Sequence, residues 1–332
     1  AGGGGSFQFD RQIIMSQPTP TRTHDAFFKH LFSDLGRVRE YFEVYLPAEL
    51  SSRIDWNSLQ REDGSFVDET LKSSYTDLLF SVRLEDKTEV YLCLLLEHKS
   101  HPDKNTPFQL LYYISGALWR EVQNSQTPRL VVPVVFYHGE EPWEYKPIAQ
   151  HFEHLSEELV RFLPRFDYVF HNLQKNPDEQ IIEAFHNHLL VSALLTLKHS
   201  FDEAYLQSRA VFLLESAIDE EGNYFKALLV YFFNRIKNEK NMTKVLEQLS
   251  NEVQAEAMSV LDIYEKRGEQ KGEQIGIQKG EQIGIQKGER HKAYLACRNM
   301  ILKGFDNTVI SEVLEVDESF VHQVRAELAK EQ

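Results

Sequence analysis

The stretch "SYTDLLFSVRLEDKTEVYLCLLLEHK", residues 74–99, decides the fold. Two apolar runs flank a short polar loop, and this pattern predicts a β-hairpin. The second run ends abruptly in Glu97-His98-Lys99. Alternation along a strand puts Glu97 and Lys99 on one face. Because charges at the end of a buried strand are costly unless they are paired or used, this pair is a candidate site.

The register of the hairpin determines which residues join that pair. A three-residue loop at 86–88 sets Asp77 directly opposite Glu97, with the Cβ atoms about 5 Å apart. Two converging carboxylates favour Mg²⁺ or Mn²⁺ between them. Lys99 beside a metal-activated water then suits phosphodiester hydrolysis. A two-residue loop would send Asp77 to the other face, and a structural ion-pair network explains the same residues without catalysis.

The sequence around the hairpin predicts an α/β fold, a mixed sheet flanked by helices. "THDAFFKHLFSD", capped by Thr23 or Asp25, and "LGRVREYFEVYLP", which stops at Pro47, are predicted helices before the hairpin. A long helix at 107–125 and strands at 129–139 and 165–173 follow it, and residues 178–262 are predicted to be a helical extension of the core.

The composition changes sharply at Gly268, where the tetrads GEQK-GEQI-GIQK-GEQI-GIQK-GERH begin. Six glycines cost a helix about 6 kcal/mol relative to alanine. A four-residue period also drifts by roughly 40° per step around a helix. Residues 263–290 are therefore either a flexible linker or a helix that needs a partner.

Residues 291–332 show three helical segments separated by turns at Gly304 and at the "EVDE" segment, which predicts a helix-turn-helix-like module. This module holds five Lys or Arg residues against seven Asp or Glu residues. Dimerisation or docking is therefore favoured over DNA reading by this part alone.

Composition excludes several classes of protein. The 332 residues are 42% hydrophobic with a net charge of −15, which argues against coating of nucleic acid or an anionic membrane. Two cysteines and the lack of a long apolar run predict a cytoplasmic protein without membrane association. The Gly/Ser-rich residues 1–14 are interpreted as an added linker before a native start at Met15, and they are excluded from fold reasoning.

Five ordered blocks carry a resemblance to a known family: "HDAFFKHLFSD", "YTDLLFSV", "LLLEHKS", "TPFQLLYYISGALWRE" and "PVVFYHGEEPW". They resemble the Rpn family, the YhgA-like recombination-promoting nucleases, over residues 23–330. Asp77 followed by Glu97-x-Lys99 resembles the (P)D…(D/E)-x-K signature of the restriction-endonuclease-like superfamily. The proline of that signature is absent, because Thr76 precedes Asp77.

The resemblance implies a metal-dependent DNA endonuclease with its core at 15–177. Asp77 and Glu97 would be metal ligands and Lys99 the catalytic lysine, with Gln109 on the next helix assisting. The implied cation is Mg²⁺ or Mn²⁺, with Ca²⁺ as a modulator. Gln109 is explained equally well as a polar residue that faces solvent at the start of a helix.

Three further residues are weaker candidates. Glu43 on the helix before the hairpin is a further metal ligand by resemblance to superfamily members, Glu40 competes for that role, and a solvated helix face explains both. His138 in "YHGEEPW" either touches phosphate or, as we favour, belongs to a turn that closes the sheet. The cations available for DNA are Lys29, Arg37, Arg39, Lys72, Lys104 and Arg120.

The expected partners are DNA and further copies of the chain, associated through residues 263–332. The resemblance also leaves room for an inhibitory protein partner. It implies roles in recombination, mobile DNA or phage defence, among which the sequence does not choose. The alternative function is a catalytically weak DNA-binding or protein-interaction protein that retains the nuclease fold.

Overall fold

The computed structural model describes residues 20–62, 76–85, 89–96, 102–152, 154–218 and 223–330. These residues form a mixed α/β protein in which helices predominate. They divide into two compact units, the first ending at Ile263 and the second beginning at Tyr264. Within the described part of the chain, no helix is both long enough and apolar enough to pass through a bilayer.

A five-stranded sheet organises the first unit. Its strands are β1 (Ile54–Arg61), β2 (Thr76–Leu84), β3 (Glu89–Leu96), β4 (Leu130–Tyr137) and β5 (Val169–Asn172). They lie in the order β1-β2-β3-β4-β5, with β2 antiparallel to β1 and β3, and with β3, β4 and β5 parallel. Helix α4 (Thr106–Gln123) makes the crossover between β3 and β4 that a parallel pair requires. The predicted hairpin, long helix and following strand are confirmed.

Strand β1 was not predicted. Only Ile54 and Leu59 of its sequence "IDWNSLQR" are buried, and a register irregularity between Asp55 and Gln60 interrupts its pairing with β2. A polar strand at the edge of a sheet has little apolar alternation, so the period-two signal is lost. Pairing with β2, rather than its own sequence pattern, makes this segment a strand.

The register of the hairpin differs from the prediction by two residues. Asp77 pairs with Leu95 and not with Glu97, and Arg83 pairs with Glu89. Strand β2 ends at Leu84, and the backbone N of Glu85 donates a 2.9 Å hydrogen bond to Arg53 O, just before β1. A shift of two residues preserves the faces of both strands. Position 77 therefore shares its face with the odd-numbered positions of β3.

Three helices precede β1: α1 (Pro20–Leu31), α2 (Leu35–Tyr45) and the short α3 (Ala48–Ser51). The prediction that Thr23 or Asp25 caps α1 is wrong, because the helix already begins at Pro20 and includes both residues. Asp34 caps α2 instead, where its Oδ1 accepts a 2.9 Å hydrogen bond from the backbone N of Arg37.

The main core lies against one face of the sheet. Leu78, Phe80 and Val82 of β2 face it, together with buried side chains of α1 and α2. The short helix α5 (Glu157–Val160) precedes β5. The predicted helical extension then closes the core with α6 (Asp178–Ala184), α7 (His188–Lys198), α8 (Glu203–Glu215), α9 (Asn223–Phe233) and α10 (Glu239–Gln248). Residues 189–197 of α7 are buried on every side of the helix, which makes α7 its centre.

The opposite face of the sheet is covered by α4. Leu79 of β2 packs there with Ala117 and Val131, and Leu110 packs with Val135 in a neighbouring cluster. Strand alternation thus assigns position 77, which shares the face of Leu79, to the side of the sheet on which α4 lies.

The second unit contains three helices. They are the part of α11 (Asn251–Leu302) from Tyr264 onward, α12 (Asn307–Leu314) and α13 (Glu318–Leu328). The glycine tetrads lie entirely within α11, so of the two alternatives the helix is correct. Buried Cys297, Ile310, Val321, Val324 and Leu328 form the core of this unit. The predicted turns are confirmed by left-handed backbone at Gly304 (φ 86°) and at Glu315 (φ 51°).

Candidate active site

The start of β2 and the end of β3 form the centre of the candidate site. Asp77 is the second residue of β2, and its backbone pairs with Leu95, the penultimate residue of β3. Glu97 and Lys99 lie outside the described residues, as does the side chain of Asp77. The three-residue cluster therefore stays a prediction.

Gln109 lies near the start of α4, on the side of the sheet to which position 77 belongs. Its Nε2 donates a 3.4 Å hydrogen bond to Oδ2 of Asp103. The other oxygen of Asp103 accepts a 2.9 Å hydrogen bond from the backbone N of Asn105. Asp103 thus holds both the entry to the helix and the half-buried Gln109 side chain in place.

The two glutamates of α2 differ in their surroundings. Glu40 is mostly buried, and its Oε1 accepts hydrogen bonds from the backbone N of His186 and, at 3.1 Å, from that of Asn187. Glu43 is exposed, and its Oε1 accepts a 2.8 Å hydrogen bond from Nε of Arg39 one turn earlier in the helix. Glu40 therefore connects α2 to the start of α7, whereas the carboxylate of Glu43 is accessible. A role of either residue in metal binding stays a prediction.

The predicted DNA-contacting cations do not all reach the surface. Arg37 is buried, with its guanidinium 3.8 Å from the centre of the Tyr224 ring. It is a core cation held by a cation–π contact, so its proposed contact with DNA is wrong. Arg39 is paired with Glu43, whereas Lys104 and Arg120 are exposed at the two ends of α4. Lys72 lies outside the described residues.

His138, directly after β4, is buried beside the ring of His24, with 5.3 Å between the ring centres. Burial, together with the charge of Arg235, lowers the pKa of His138 to about 4. Tyr137 closes the following turn, since its hydroxyl donates a 2.7 Å hydrogen bond to the carbonyl of Glu141. This geometry supports the favoured interpretation, in which the segment closes the sheet.

His24 itself belongs to a polar network inside the core. Its Nε2 lies 3.0 Å from Nη1 of Arg235, and its Nδ1 contacts the hydroxyl of Tyr231. Because a guanidinium only donates, Nε2 accepts and Nδ1 carries the proton that it donates to Tyr231. A network with complementary donors and acceptors is a structural element of the core.

Among the residues that the structure describes, no three His, Cys, Asp or Glu side chains are grouped closely enough to hold a metal ion. Asp77 and Glu97, with their side chains outside that set, are the oxygen donors whose chemistry suits a hard divalent cation. The donor set thus fits Mg²⁺ or Mn²⁺ by residue type.

The sheet and the predicted site define a mixed α/β protein with an acidic hairpin followed by a crossover helix. The chain belongs to the family described as "Putative transposase, YhgA-like", which matches residues 22–224. The expected membership of the Rpn family is thereby confirmed.

Three similar proteins come from Escherichia coli K12. "Recombination-promoting nuclease RpnC" is 31% identical over 65% of this chain and 76% of its own length. "Inactive recombination-promoting nuclease-like protein RpnE" is 27% identical over 79% of this chain and 86% of its own. "Recombination-promoting nuclease RpnA" is 34% identical over 40% of this chain and 45% of its own. No solved structure matches the chain.

Sequence reasoning did not single out the outward face of α4, where Phe108, Tyr112 and Trp119 are exposed. Their spacing of four and seven residues was visible as a helical stripe. Such a stripe normally predicts a core-facing surface, and only the structure shows that α4 buries the opposite one.

Proposed function

We propose that the protein is a metal-dependent DNA endonuclease with a restriction-endonuclease-like core. The observation that carries this proposal is the sheet, in which an antiparallel hairpin is followed by a crossover helix and a parallel strand, with Asp77 at the open end of the hairpin where Glu97-x-Lys99 follows β3. Relatives named as recombination-promoting nucleases support the same activity and a role in recombination.

Five residues of this chain would carry out the proposed hydrolysis. Asp77 and Glu97 would hold the cation, with Glu43 as a further carboxylate. A bound Mg²⁺ or Mn²⁺ supplies positive charge at the phosphate and makes an attacking water more acidic. Nζ of Lys99 orients that water and donates hydrogen bonds to the phosphate oxygens as negative charge develops on them. Gln109, held by Asp103, assists from the start of α4.

A second candidate is a DNA-binding protein that retains the fold but not the chemistry. The similarity to RpnE, whose name calls it inactive, favours keeping this candidate. Asp77, Glu97 and Lys99 are all present in this chain, which supports the active alternative.

Plasmid cleavage separates the two candidates. Nicking is measured with Mg²⁺, Mn²⁺, Ca²⁺ or EDTA for the unmodified chain, Asp77→Ala and Lys99→Ala. Glu49→Ala and Lys240→Ala are matched controls, since both side chains are exposed outside the candidate site. We expect metal-dependent nicking that falls at least 100-fold in the two site variants and less than twofold in the controls. DNA binding without nicking in any metal would favour the second candidate, and nicking that persists in both site variants would contradict the proposed site.

The second unit is proposed to associate copies of the chain, since an exposed helix rich in glycine gains most from a partner. Within this unit, α12 and α13 follow α11 as a helix-turn-helix-like pair. We propose no direct DNA reading by α13, because acidic residues outnumber basic ones in residues 304–332.

A further inference from the structure

The outward face of α4 is an aromatic and apolar surface without an assigned role. Phe108, Tyr112, Trp119 and Val122, here called the α4 stripe, are 40%, 47%, 61% and 49% exposed. At 100° per residue they fall within an arc of about 80° on the helix. A surface helix normally places polar residues on this face. Exposed apolar side chains gathered on one helix face typically mark an interaction site.

Core packing does not explain the stripe, since the opposite face of α4 already serves the sheet. Leu110, Tyr113 and Ala117 are buried there. Glu121, the single carboxylate in the α4 sequence, is also buried: its Oε1 accepts a 2.5 Å hydrogen bond from Nε of Arg129, and its Oε2 accepts one of 2.6 Å from the backbone N of the same residue. The outward side of α4 thus carries aromatic rings and no carboxylate.

The charges that remain exposed at α4 are positive. Lys104 lies just before the first turn and Arg120 lies in the last turns. The chain as a whole has a net charge of −15, whereas the exposed charges at α4 are cationic. Aromatic faces between cations match a ligand that is both stacked and polyanionic, which is the chemistry of an unpaired nucleic-acid strand.

We propose that the α4 stripe binds unpaired bases of the DNA substrate by stacking, with Lys104 and Arg120 contacting its phosphates. This inference rests on the proposed nuclease function and deepens it, because it assigns the enzyme a preference for DNA with a single-stranded segment. The sequence tolerance of stacking means that no particular base is selected.

The stripe begins beside Gln109, the candidate-site residue at the start of α4. Phe108 directly precedes Gln109, and its ring edge contacts the rings of His151 and Phe152 at centroid distances of 5.5 and 6.1 Å. Trp119 lies eleven residues further, about 16 Å along the helix axis. A strand that leaves the site along α4 meets the aromatic residues one after another.

A second copy of the chain is a poorer match to the same surface. Antiparallel pairing of two α4 helices about a two-fold axis brings Lys104 of each copy towards Arg120 of the other. The stripe contains no carboxylate that would offset this repulsion. A polyanion meets the same cations with attraction.

The test is DNA binding in EDTA, which does not require cleavage. Fluorescence anisotropy compares a labelled oligothymidylate single strand with a mixed-sequence duplex of equal length at one salt concentration. The double variant Tyr112→Ala/Trp119→Ala removes the rings, and Tyr112→Phe/Trp119→Phe keeps aromatic faces. Phe162→Ala removes an exposed ring outside the stripe. We expect the Kd for the single strand to rise at least 10-fold in the alanine double variant only, and the duplex Kd to change less than twofold.

Two outcomes would overturn the stripe proposal. One is unchanged single-strand binding in the alanine variant. The other is a loss of self-association in that variant, measured by light scattering, without a loss of single-strand affinity, which would make the stripe a protein interface.

Plasmid nicking by the unmodified chain and Asp77→Ala is measured in parallel. Nicking that requires Asp77 while the stripe is dispensable refutes the stripe alone. Ring-dependent strand binding without nicking refutes the nuclease function alone.

Discussion

Asp178, the first residue of α6, accepts a 2.6 Å hydrogen bond on its Oδ1 from Nζ of Lys198, the last residue of α7. The same Nζ donates to the carbonyl of Asn176 at 2.6 Å. The Tyr205 hydroxyl of α8 donates to Oδ2 of Asp178, also at 2.6 Å, and the rings of Tyr205 and His199 are stacked. One carboxylate therefore joins three helices of the first unit.

Replacement of Asp178 by Asn should destabilise the first unit by about 3 kcal/mol at pH 7, because Lys198, 9% exposed, loses its charged partner. Burial alone raises the pKa of Asp178, but hydrogen bonds from Lys198, Tyr205 and His199 outweigh it and lower the pKa to about 2. The carboxylate stabilises the fold above its unfolded pKa of about 4, and this contribution is lost as the pH falls to about 2.

Urea unfolding of the unmodified chain and of Asp178→Asn, at pH 7 and at pH 3, measures the contribution of the Asp178 carboxylate to stability. The difference in free energy of unfolding should shrink at the lower pH. Glu49→Gln, which changes an exposed carboxylate, should leave stability within about 0.5 kcal/mol at both values. An unchanged difference at pH 3 would contradict the assigned pKa.

Two buried histidines should make the fold sensitive to mild acid. Burial lowers the pKa of His138 and of His171 to about 4. Both histidines are neutral in the folded protein, so the free energy of unfolding is highest above about pH 6.5. It falls between pH 6.5 and pH 4, by up to about 1.4 kcal/mol per pH unit for each histidine.

His171→Gln should lower stability at pH 7 but reduce its loss on acidification. Urea midpoints at several pH values, with the exposed His188→Gln as control, test the prediction. Equal slopes for all three proteins would refute it.

Loss of one buried hydroxyl tests the hydrogen bond between Tyr41 and His171. Nε2 of His171 lies 3.0 Å from Oδ1 of Asn176, which only accepts, so Nδ1 is left to accept the 2.7 Å hydrogen bond from the Tyr41 hydroxyl. Tyr41→Phe leaves this buried acceptor unsatisfied and should reduce the free energy of unfolding by about 1–3 kcal/mol. Tyr112→Phe, at an exposed position, is the matched control. Equal stabilities of the two variants would contradict a stabilising hydrogen bond between Tyr41 and His171.

Glycines of the α11 repeat offer a test of the second unit. A Cβ at Gly272, Gly276, Gly280, Gly284 or Gly288 meets nothing within 4 Å. Alanine at all five should stabilise the helix by about 0.5–1 kcal/mol each and raise its melting temperature in far-UV circular dichroism. Gly304→Ala, where φ is +86°, should instead lower it. Destabilisation by the five alanines would mean that the glycines form a close contact with another copy.

Deletion of residues 262–332 should separate chemistry from association. The first unit keeps its core, because Val253, Ala257 and Val260 of α11 pack in it and remain. We expect loss of self-association in light scattering and plasmid nicking reduced about 10-fold. A truncated chain that stays dimeric and fully active would contradict the proposed role of the second unit.

Elements with strong apolar periodicity were predictable, and elements that depend on their neighbours were not. The runs in β2 and β3 predicted a hairpin, but their apolar pattern could not fix the pairing of Asp77 with Leu95, because a shift of two residues keeps the same faces. Strand β1 has too few apolar residues to show the alternating pattern that predicts a strand. Arg37 resembles a surface cation in sequence, and only the packing of Tyr224 over its guanidinium takes it into the core. Tertiary contacts, rather than local propensity, decided these cases.

The residue types of the candidate site were readable, since Asp77 lies at the start of the hairpin and Glu97-x-Lys99 follows its second strand. The different surroundings of Glu40 and Glu43 were not predictable from the sequence. They depend on the backbone of residues 186 and 187, which are far away in sequence and approach only Glu40. Long-range contacts of this kind leave no periodic trace in the chain.

The burial of α7 on all sides has a consequence for hydrogen exchange. Amides of residues 193–197 have no water-facing side chain beside them and lie in the centre of the main core. Local fraying cannot expose them, so they exchange only when the first unit opens as a whole. Their exchange rates report the free energy of global unfolding of this unit, whereas the exposed amides of the glycine repeat report only the local opening of α11.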